Sequence, residues 1–156
     1  MATVVSYNPR FREAFERLNR EWIETYFVVE EADREAFADP GGKIVGRGGE
    51  IFFVVEGDEV LGTCAVIAHS PEVHEIAKMA VAPAARGRGF GDLLMEACVG
   101  FSRAAGAREI VIVSNTRLQP AIRLYEKHGF ARVPFENDGR YARADIKLVR
   151  MLAAER

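Results

Sequence analysis

The chain has 156 residues, 49% of them hydrophobic and 28% charged, at a formal net charge of −2; this is enough for one folded domain with a closed core, too apolar for a disordered chain, and without the basic excess of a nucleic-acid or anionic-membrane binder. Two cysteines, Cys64 and Cys98, give neither a disulfide framework nor a paired metal-ligand spacing, which implies a reducing, cytoplasmic setting. No apolar run approaches the roughly 18 residues of a membrane span, and residues 1–8 lack the charged-then-apolar pattern of a signal peptide.

Thr3 to Tyr7 is a short β-like start, and Pro9 suits a first helical turn. From Phe11 to Phe27 the apolar residues Phe11, Ala14, Phe15, Leu18, Trp22 and Tyr26 recur at helical spacing, which predicts a helix with one buried face. A break between Leu18 and Glu24 stays open. Glu31 to Ala38 suggests another short helix, ended by Asp39-Pro40-Gly41-Gly42, and the Gly-rich stretch to Gly49 reads as a mobile loop. The period then changes. Ile51 to Glu56 and Val60 to His69 predict two strands joined by the hairpin signal Glu56-Gly57-Asp58-Glu59. His74 to Val81 is a third strand, stopped by Ala82-Pro83, and the close succession of the three predicts an antiparallel meander.

After the Gly-rich run 86–91 a helix is predicted from Phe90, Leu93, Leu94, Ala97, Cys98 and Phe101, with Gly106 as its stop. Glu109 to Ser114 reads as a strand buried on both faces. Pro120 to His128 is a short helix closed by Gly129. Phe130 to Phe135 and Tyr141 to Val149 are two further strands, the second alternating at Ala142, Ala144, Ile146 and Leu148. This order predicts a single domain over 1–156 of α+β or mixed α/β class, its sheet covered on both faces.

The segment richest in chemistry runs from Lys78 through Arg86, Gly87, Arg88, Gly89 and Phe90 to Gly91: a strand, a turn with three glycines and two arginines, then a helix. Unpaired N–H groups at a helix N-terminus form an anion site, and glycine lets a phosphate approach the chain. A Gly-rich connector with solvated arginines would share the pattern. There is no Gly-Lys-Ser/Thr, so this is not a P-loop. The spacing Gly87, Gly89, Gly91 is not that of a dinucleotide loop, and Glu109, about 20 residues on, begins a strand where a ribose-binding carboxylate would end one.

The remaining reading is Arg-x-x-Gly-x-Gly, met by Arg86, Gly89 and Gly91, and here the sequence resembles the GNAT superfamily of acetyl-CoA-dependent N-acetyltransferases. Glu75-Ile-Ala-Lys-Met-Ala-Val81, then Pro83, resembles the family's central strand. Ala121-Ile-Arg-Leu-Tyr-Glu-Lys-His-Gly-Phe130 resembles its later tyrosine helix. The detailed likeness covers roughly residues 51–132. The resemblance implies a splayed, mixed, mostly antiparallel sheet flanked by helices on both faces, with acetyl-CoA in the gap. It implies that the amides of Arg86, Gly87, Arg88, Gly89, Phe90 and Gly91 hold the pyrophosphate, that the strand backbone at Met79, Ala80 and Val81 pairs with the pantetheine arm, and that Tyr125 stands near the sulfur. One position departs: where many members have Asn three residues before the helix Ala, this chain has Leu118, and Asn115 is the nearby substitute.

The implied chemistry is attack of an amine on the thioester in a ternary complex. Alkyl amines are mostly protonated at pH 7, so a proton acceptor is needed, and Glu75 matches the family's acidic position. A strand-end glutamate with no such role fits the residue equally. Tyr125 is the candidate proton donor to the leaving thiolate, with an ordinary core aromatic as the alternative. Neither Cys64 nor Cys98 has an activating neighbour in sequence, which weighs against an acyl-enzyme. Trp22, Tyr26, Glu21, Glu24 and Phe27 from the early helices, and Tyr141 and Arg143 near the end, are candidates for the amine pocket. His69, His74 and Cys64 have no zinc spacing, so no metal is expected, and His128 suits a helix C-terminus.

Charge is uneven: residues 1–60 hold 13 acidic and 7 basic residues, residues 61–156 hold 10 and 14. With acetyl-CoA as cosubstrate, this suggests an anion on the second half and a cationic amine facing the first. The partners expected are acetyl-CoA and an amine, with a small molecule favoured; a homodimer is common among such proteins. Two rivals stay open: a non-catalytic acyl-CoA sensor of the same fold, and an enzyme acting on protein N-termini or lysines.

Overall fold

Apolar residues alternate along the strands, so each strand feeds two cores, one on either face of the sheet. The computed structural model describes residues 1–153. Its strands are β1 (Thr3–Ser6), β2 (Glu50–Glu56), β3 (Glu59–Ala68), β4 (Val73–Val81), β5 (Glu109–Ser114), β6 (Ala131–Val133) and β7 (Ile146–Met151). Its α-helices are α1 (Arg12–Tyr26), α2 (Glu31–Ala38), α3 (Pro40–Lys43), α4 (Phe90–Ala104) and α5 (Gln119–Lys127). The seven strands form one sheet in the order β1-β2-β3-β4-β5-β7-β6. Only β4 and β5 are parallel; every other neighbouring pair is antiparallel. Val54, Cys64, Val66 and Ile76 face α4 and α5, while Ile51, Phe53 and Ala65 face α1 and α2. This is the expected mixed, mostly antiparallel sheet with helices on both faces.

One open point closes and two expectations change. First, α1 is unbroken through Leu18 to Glu24. The buried Asn19 stays inside it because its Nδ2 donates to the Phe15 carbonyl at 2.9 Å while its Oδ1 accepts from Trp22 Nε1 at 3.0 Å. Second, the Gly-rich stretch after Ala38 is structured: Asp39 caps α3 by accepting from the Gly42 amide at 3.0 Å, Pro40 fills the first helical turn, and a 3₁₀ turn follows at Val45–Arg47. Third, the last strand begins at Ile146, not Tyr141, and β6 spans only Ala131–Val133. Pro134 has no N–H for the ladder. Beyond it the backbone is held by side chains: Asn137 donates to the carbonyls of Tyr141 and Ala144, Asn115 donates to that of Arg143, and Glu30 accepts from the Ala142 amide.

The feature that makes the site is a bulge in β4. Ala77 opposes Ala65 and Ala80 opposes Thr63, so Lys78 and Met79 together stand opposite Cys64 alone. Lys78 has φ 57°, and no other non-glycine among the described residues has a positive φ. An extra residue reverses side-chain parity. Before it Ile76 points to the α4 core; after it Met79 and Val81 do, and Lys78 is sent to the α1–α2 side.

Candidate active site

β4 and β5 pair only at Val73–Glu75 with Glu109–Val111. Beyond Glu75 the strands part, and six residues of β4 have no partner on that side, an edge of roughly 20 Å. The wedge contains a cavity of about 370 Å³ whose walls include Met79, Ala80, Val81, Gly91, Asn115 and Tyr125.

The edge runs into the Gly-rich loop. Gly87 and Gly89 have φ of 84° and 81°, a backbone that side chains rarely adopt, and a Cβ at either would meet nothing within 4 Å. These glycines set the chain path and leave space beside it. Gly91 has a different reason: its Cβ would lie 2.9 Å from Leu124 Cδ2, where α4 and α5 touch. The first bond of α4 is Leu93 N–H to the Gly89 carbonyl at 3.3 Å; among the described residues no backbone carbonyl accepts from the amides of 87–92. Orphan donors at the positive end of a 15-residue helix form a cradle for a phosphate or pyrophosphate. The loop arginines are tied to acidic residues of the first half. Arg88 is bidentate to Glu56 at 3.2 and 2.7 Å, and Arg86 reaches Glu21 at 3.3 Å. Phe90 packs its ring into the core, so only its amide is free for a ligand.

Tyr125 is carried by α5, nearly buried, with its ring in the core and a face on the cavity. Among the described residues no protein group bonds its hydroxyl, and the oxygen is not sealed off. Burial, with the thiols of Cys64 and Cys98 beside it, pushes its pKa above the ordinary phenol value, so the O–H keeps its proton. Asn115 also lines the cavity, but its side chain is in use: Nδ2 donates to the Arg143 carbonyl at 2.6 Å and Oδ1 accepts from the Arg117 amide at 2.8 Å.

Glu75 stands where the two strands part. It is buried, and its carboxylate meets His69 Nε2 at 2.7 Å and the Arg140 guanidinium at 3.0 and 3.3 Å. Burial alone would raise its pKa; the His69 hydrogen bond and Arg140 more than offset that and hold it below the usual carboxylate value. A second cavity, bounded by His69, Pro134 and Lys147, shares Glu75 and Arg140 with the first, and the His69 side chain is 43% exposed. Glu75 and His69 thus connect the wedge to solvent.

The opposite wall holds a cluster in which the sequence singles out Tyr141 and Arg143 but gives Lys78 and Asp33 no role. Lys78 donates to Asp33, which is 0% exposed; Arg143 binds the same carboxylate through both Nη atoms at 2.7 Å. Burial raises Asp33 in pKa, but the Arg143 bonds and the Lys78 charge overcome it and hold it at about 2. Burial pulls Lys78 down, the Asp33 charge recovers part of the loss, and it settles at about 8. Tyr141 lies under both cations, its centroid 4.5 Å from Lys78 Nζ and 4.6 Å from Arg143 Cζ. Burial raises its hydroxyl to about 12.

Of the expected acceptor residues, Trp22, Tyr26, Tyr141 and Arg143 line the cavity. Glu21 pairs with Arg86, Glu24 lies within 4.0 Å of Arg20 along α1, and Phe27 stacks under Arg117. His74 binds Ser102 at 2.8 Å, and His128 binds Asp92 at 2.8 Å. The acidic first half does not present its charge to an amine: Glu21, Glu56, Glu30 and Asp33 are matched by Arg86, Arg88, Arg143 and Lys78 of the second half. The sequence carried one signal for the missed cluster, a lone lysine inside the apolar strand Ile76 to Val81. Asp33 and Arg140 carried none.

Residues 47–132 match the Acetyltransferase (GNAT) domain family, and the chain belongs to it. Among curated proteins it is similar to a mycothiol acetyltransferase of Corynebacterium glutamicum, 38% identical over 81 residues, which is 52% of this chain and 28% of that protein. The chain thus spans under a third of the length of the curated relatives it matches. Its fold is that of a GNAT acetyltransferase from Staphylococcus aureus, with TM-score 0.89, 14% identity, and 98% and 100% of the two chains covered. It is also that of yncA, a putative acetyltransferase from Salmonella typhimurium determined with its cofactor acetyl-CoA, with TM-score 0.75, 17% identity, and 97% and 94% covered.

Proposed function

We propose that the protein transfers the acetyl group of acetyl-CoA to a primary amine by direct attack in one ternary complex, and that the amine is a small molecule. The observation that carries this reading is one continuous cleft: an unpaired strand edge at Ile76–Val81 leads into the unbonded amides of 87–92, with the unbonded Tyr125 hydroxyl across from it. The cradle and the open space beside Gly87 and Gly89 fit a pyrophosphate. The edge fits a chain that alternates amide donors and acceptors, as an added strand would. The matched relatives are themselves named acetyltransferases.

Acetyl-CoA supplies an acetyl thioester. The amides of 87–92 bind its pyrophosphate, and the β4 backbone at Met79 to Val81 orients its arm. A backbone N–H on that edge stabilises charge as it grows on the carbonyl oxygen. Tyr125 donates its hydrogen bond to the departing sulfur. With its pKa raised above that of an ordinary thiol, about 8.5, the phenol steadies the thiolate without surrendering the proton outright. Glu75, kept ionised, orders the water that takes the amine's proton, and His69 passes it to the second cavity. Ala142 bound to Glu30, Arg143 to Asp33, and Arg117 to the Tyr26 carbonyl at 2.8 Å roof the acceptor side, which supports a small amine over a protein tail. Both cysteines are free and buried, in keeping with a reducing cytoplasm.

The test is thiol release from acetyl-CoA across amines, polyamines, amino acids and peptides, with Tyr125→Phe and Glu75→Gln in parallel. Release that depends on one amine class and drops in Tyr125→Phe supports the reading. Tight acetyl-CoA binding with no release on any acceptor favours the sensor, and no binding overturns both.

A further inference from the structure

The charged side chains on the cavity wall are Lys78, Arg86, Arg117, Arg140 and Arg143 against Glu75 alone. Arg86 belongs to the phosphate loop, and Arg140 gives both Nη atoms to Glu75. Lys78, Arg143 and Arg117 remain, and the carboxylates bound to the first two, Asp33 and Glu30, do not line the cavity. The cations face the cavity and their counter-charges stand behind. Glu30 approaches Arg143 only at 3.5 Å and spends its other oxygen on the Ala142 amide. Lys78, with its side chain 5% exposed, has one acceptor among the described residues, Asp33, and the faces of Tyr141 and Phe37 lie beside its ammonium. Two N–H donors of a buried ammonium are therefore left to aromatic rings. Arg117, which stacks on Tyr26 and Phe27 and donates to a carbonyl, adds a further cation with no carboxylate partner among the described residues.

Resting on the transferase reading above, we infer that the acceptor is an amine that carries its own carboxylate, a small amino acid, with the carboxylate held by Lys78 and Arg143. Buried cations are costly unless paired and hydrogen-bonded; Asp33 and Glu30 balance the two charges, and a carboxylate in the cavity takes the Lys78 donors that Asp33 leaves unmet. Both Nη atoms of Arg143 hold Asp33, so the Lys78 ammonium takes the carboxylate and Arg143 adds its charge beside it. Glu75, on the same wall, takes the ammonium end of the zwitterion. Trp22, Tyr26 and Tyr141 confine what lies between. A polyamine brings positive charge to a cationic wall, and a neutral alkyl amine leaves the Lys78 donors unmet.

The deciding measurement compares amino acids with their carboxamides, which keep the amine and lose the negative charge, and with a diamine. Titration calorimetry on the CoA-loaded protein reads binding without turnover, and thiol release reads turnover. Amino acids are expected to bind about tenfold more tightly than the matching carboxamides, the size of one charge-assisted hydrogen bond. In Arg143→Gln that preference collapses, and in Arg143→Lys, which keeps the charge, part of it returns. Equal or tighter binding of the carboxamides or the diamine overturns the inference while the transferase stands. Selective binding of amino acids without thiol release overturns the transferase and leaves the carboxylate site.

Discussion

On the loop side of the cleft, the groups offered to a ligand are backbone amides at 87–92, and the arginines nearby are paired with carboxylates, Arg88 with Glu56 and Arg86 with Glu21. On the opposite side they are side chains: Lys78 from β4 and Arg140, Tyr141 and Arg143 from the segment before β7, with Asp33 of α2 behind Lys78 and Arg143. A backbone site asks only for a chain path, so it tolerates many residues as long as the positive φ values at Gly87 and Gly89 are kept. A side-chain site asks for specific charges held out of water, and each charge depends on the others. One wall can bind a ligand common to a whole family; the other can be tuned to one acceptor.

The comparison breaks most severely at Asp33. Asp33→Asn leaves Lys78 and Arg143 buried without their shared counter-charge, and a loss of about 3–5 kcal/mol is expected, roughly 10 °C in melting temperature. In the unaltered chain Asp33 titrates at about 2 instead of 3.8. Its contribution is therefore complete above about pH 4 and is lost as pH falls toward 2. Thermal melts across pH 2–6 should show a shallower acid limb in the variant; coincident limbs would mean that Asp33 is not held as an ion pair.

Next in size is Tyr125→Phe. It removes the donor to the leaving sulfur, and kcat should fall about a hundredfold with the KM for acetyl-CoA nearly unchanged. A core role alone would lower the melting temperature and leave kcat. Gly89→Val forces a β-branched residue into φ 81° and sets a methyl group beside the cradle. The strain of about 2 kcal/mol should weaken acetyl-CoA binding close to thirtyfold by titration calorimetry, with the acceptor preference intact. The smallest effect belongs to Glu56→Gln, which frees Arg88 from an exposed ion pair. Acetyl-CoA should bind about twofold more tightly at low salt, and the gain should vanish at high salt.

Legibility in the sequence follows the same division. The elements that fold from local pattern read well. The heptad-like face of α1, the meander of β2 to β4, the apolar run of β5 and the helix after the Gly-rich loop lie where the periodicity sets them. The Gly-rich loop reads well too, because three glycines between a strand and a helix encode its backbone directly. The misread segments are those held by side chains from afar. The stretch before β7 alternates like a strand, yet Asn115, Asn137 and Glu30 take its backbone groups. The run after Ala38 looks like a loop, yet Asp39 caps it.

By itself the sequence determined the sheet, its two cores and the Gly-rich loop, since periodicity, turn residues and glycine placement act within a few neighbouring positions. Only the tertiary structure decided the cluster of Lys78, Asp33 and Arg143. A single bulge at Lys78 reverses which way the end of β4 faces, and so delivers a lysine to an aspartate 45 positions away and an arginine 110 positions from it. No local pattern records that meeting, because its energy appears only when α2, β4 and the segment before β7 close together and exclude water from all three charges.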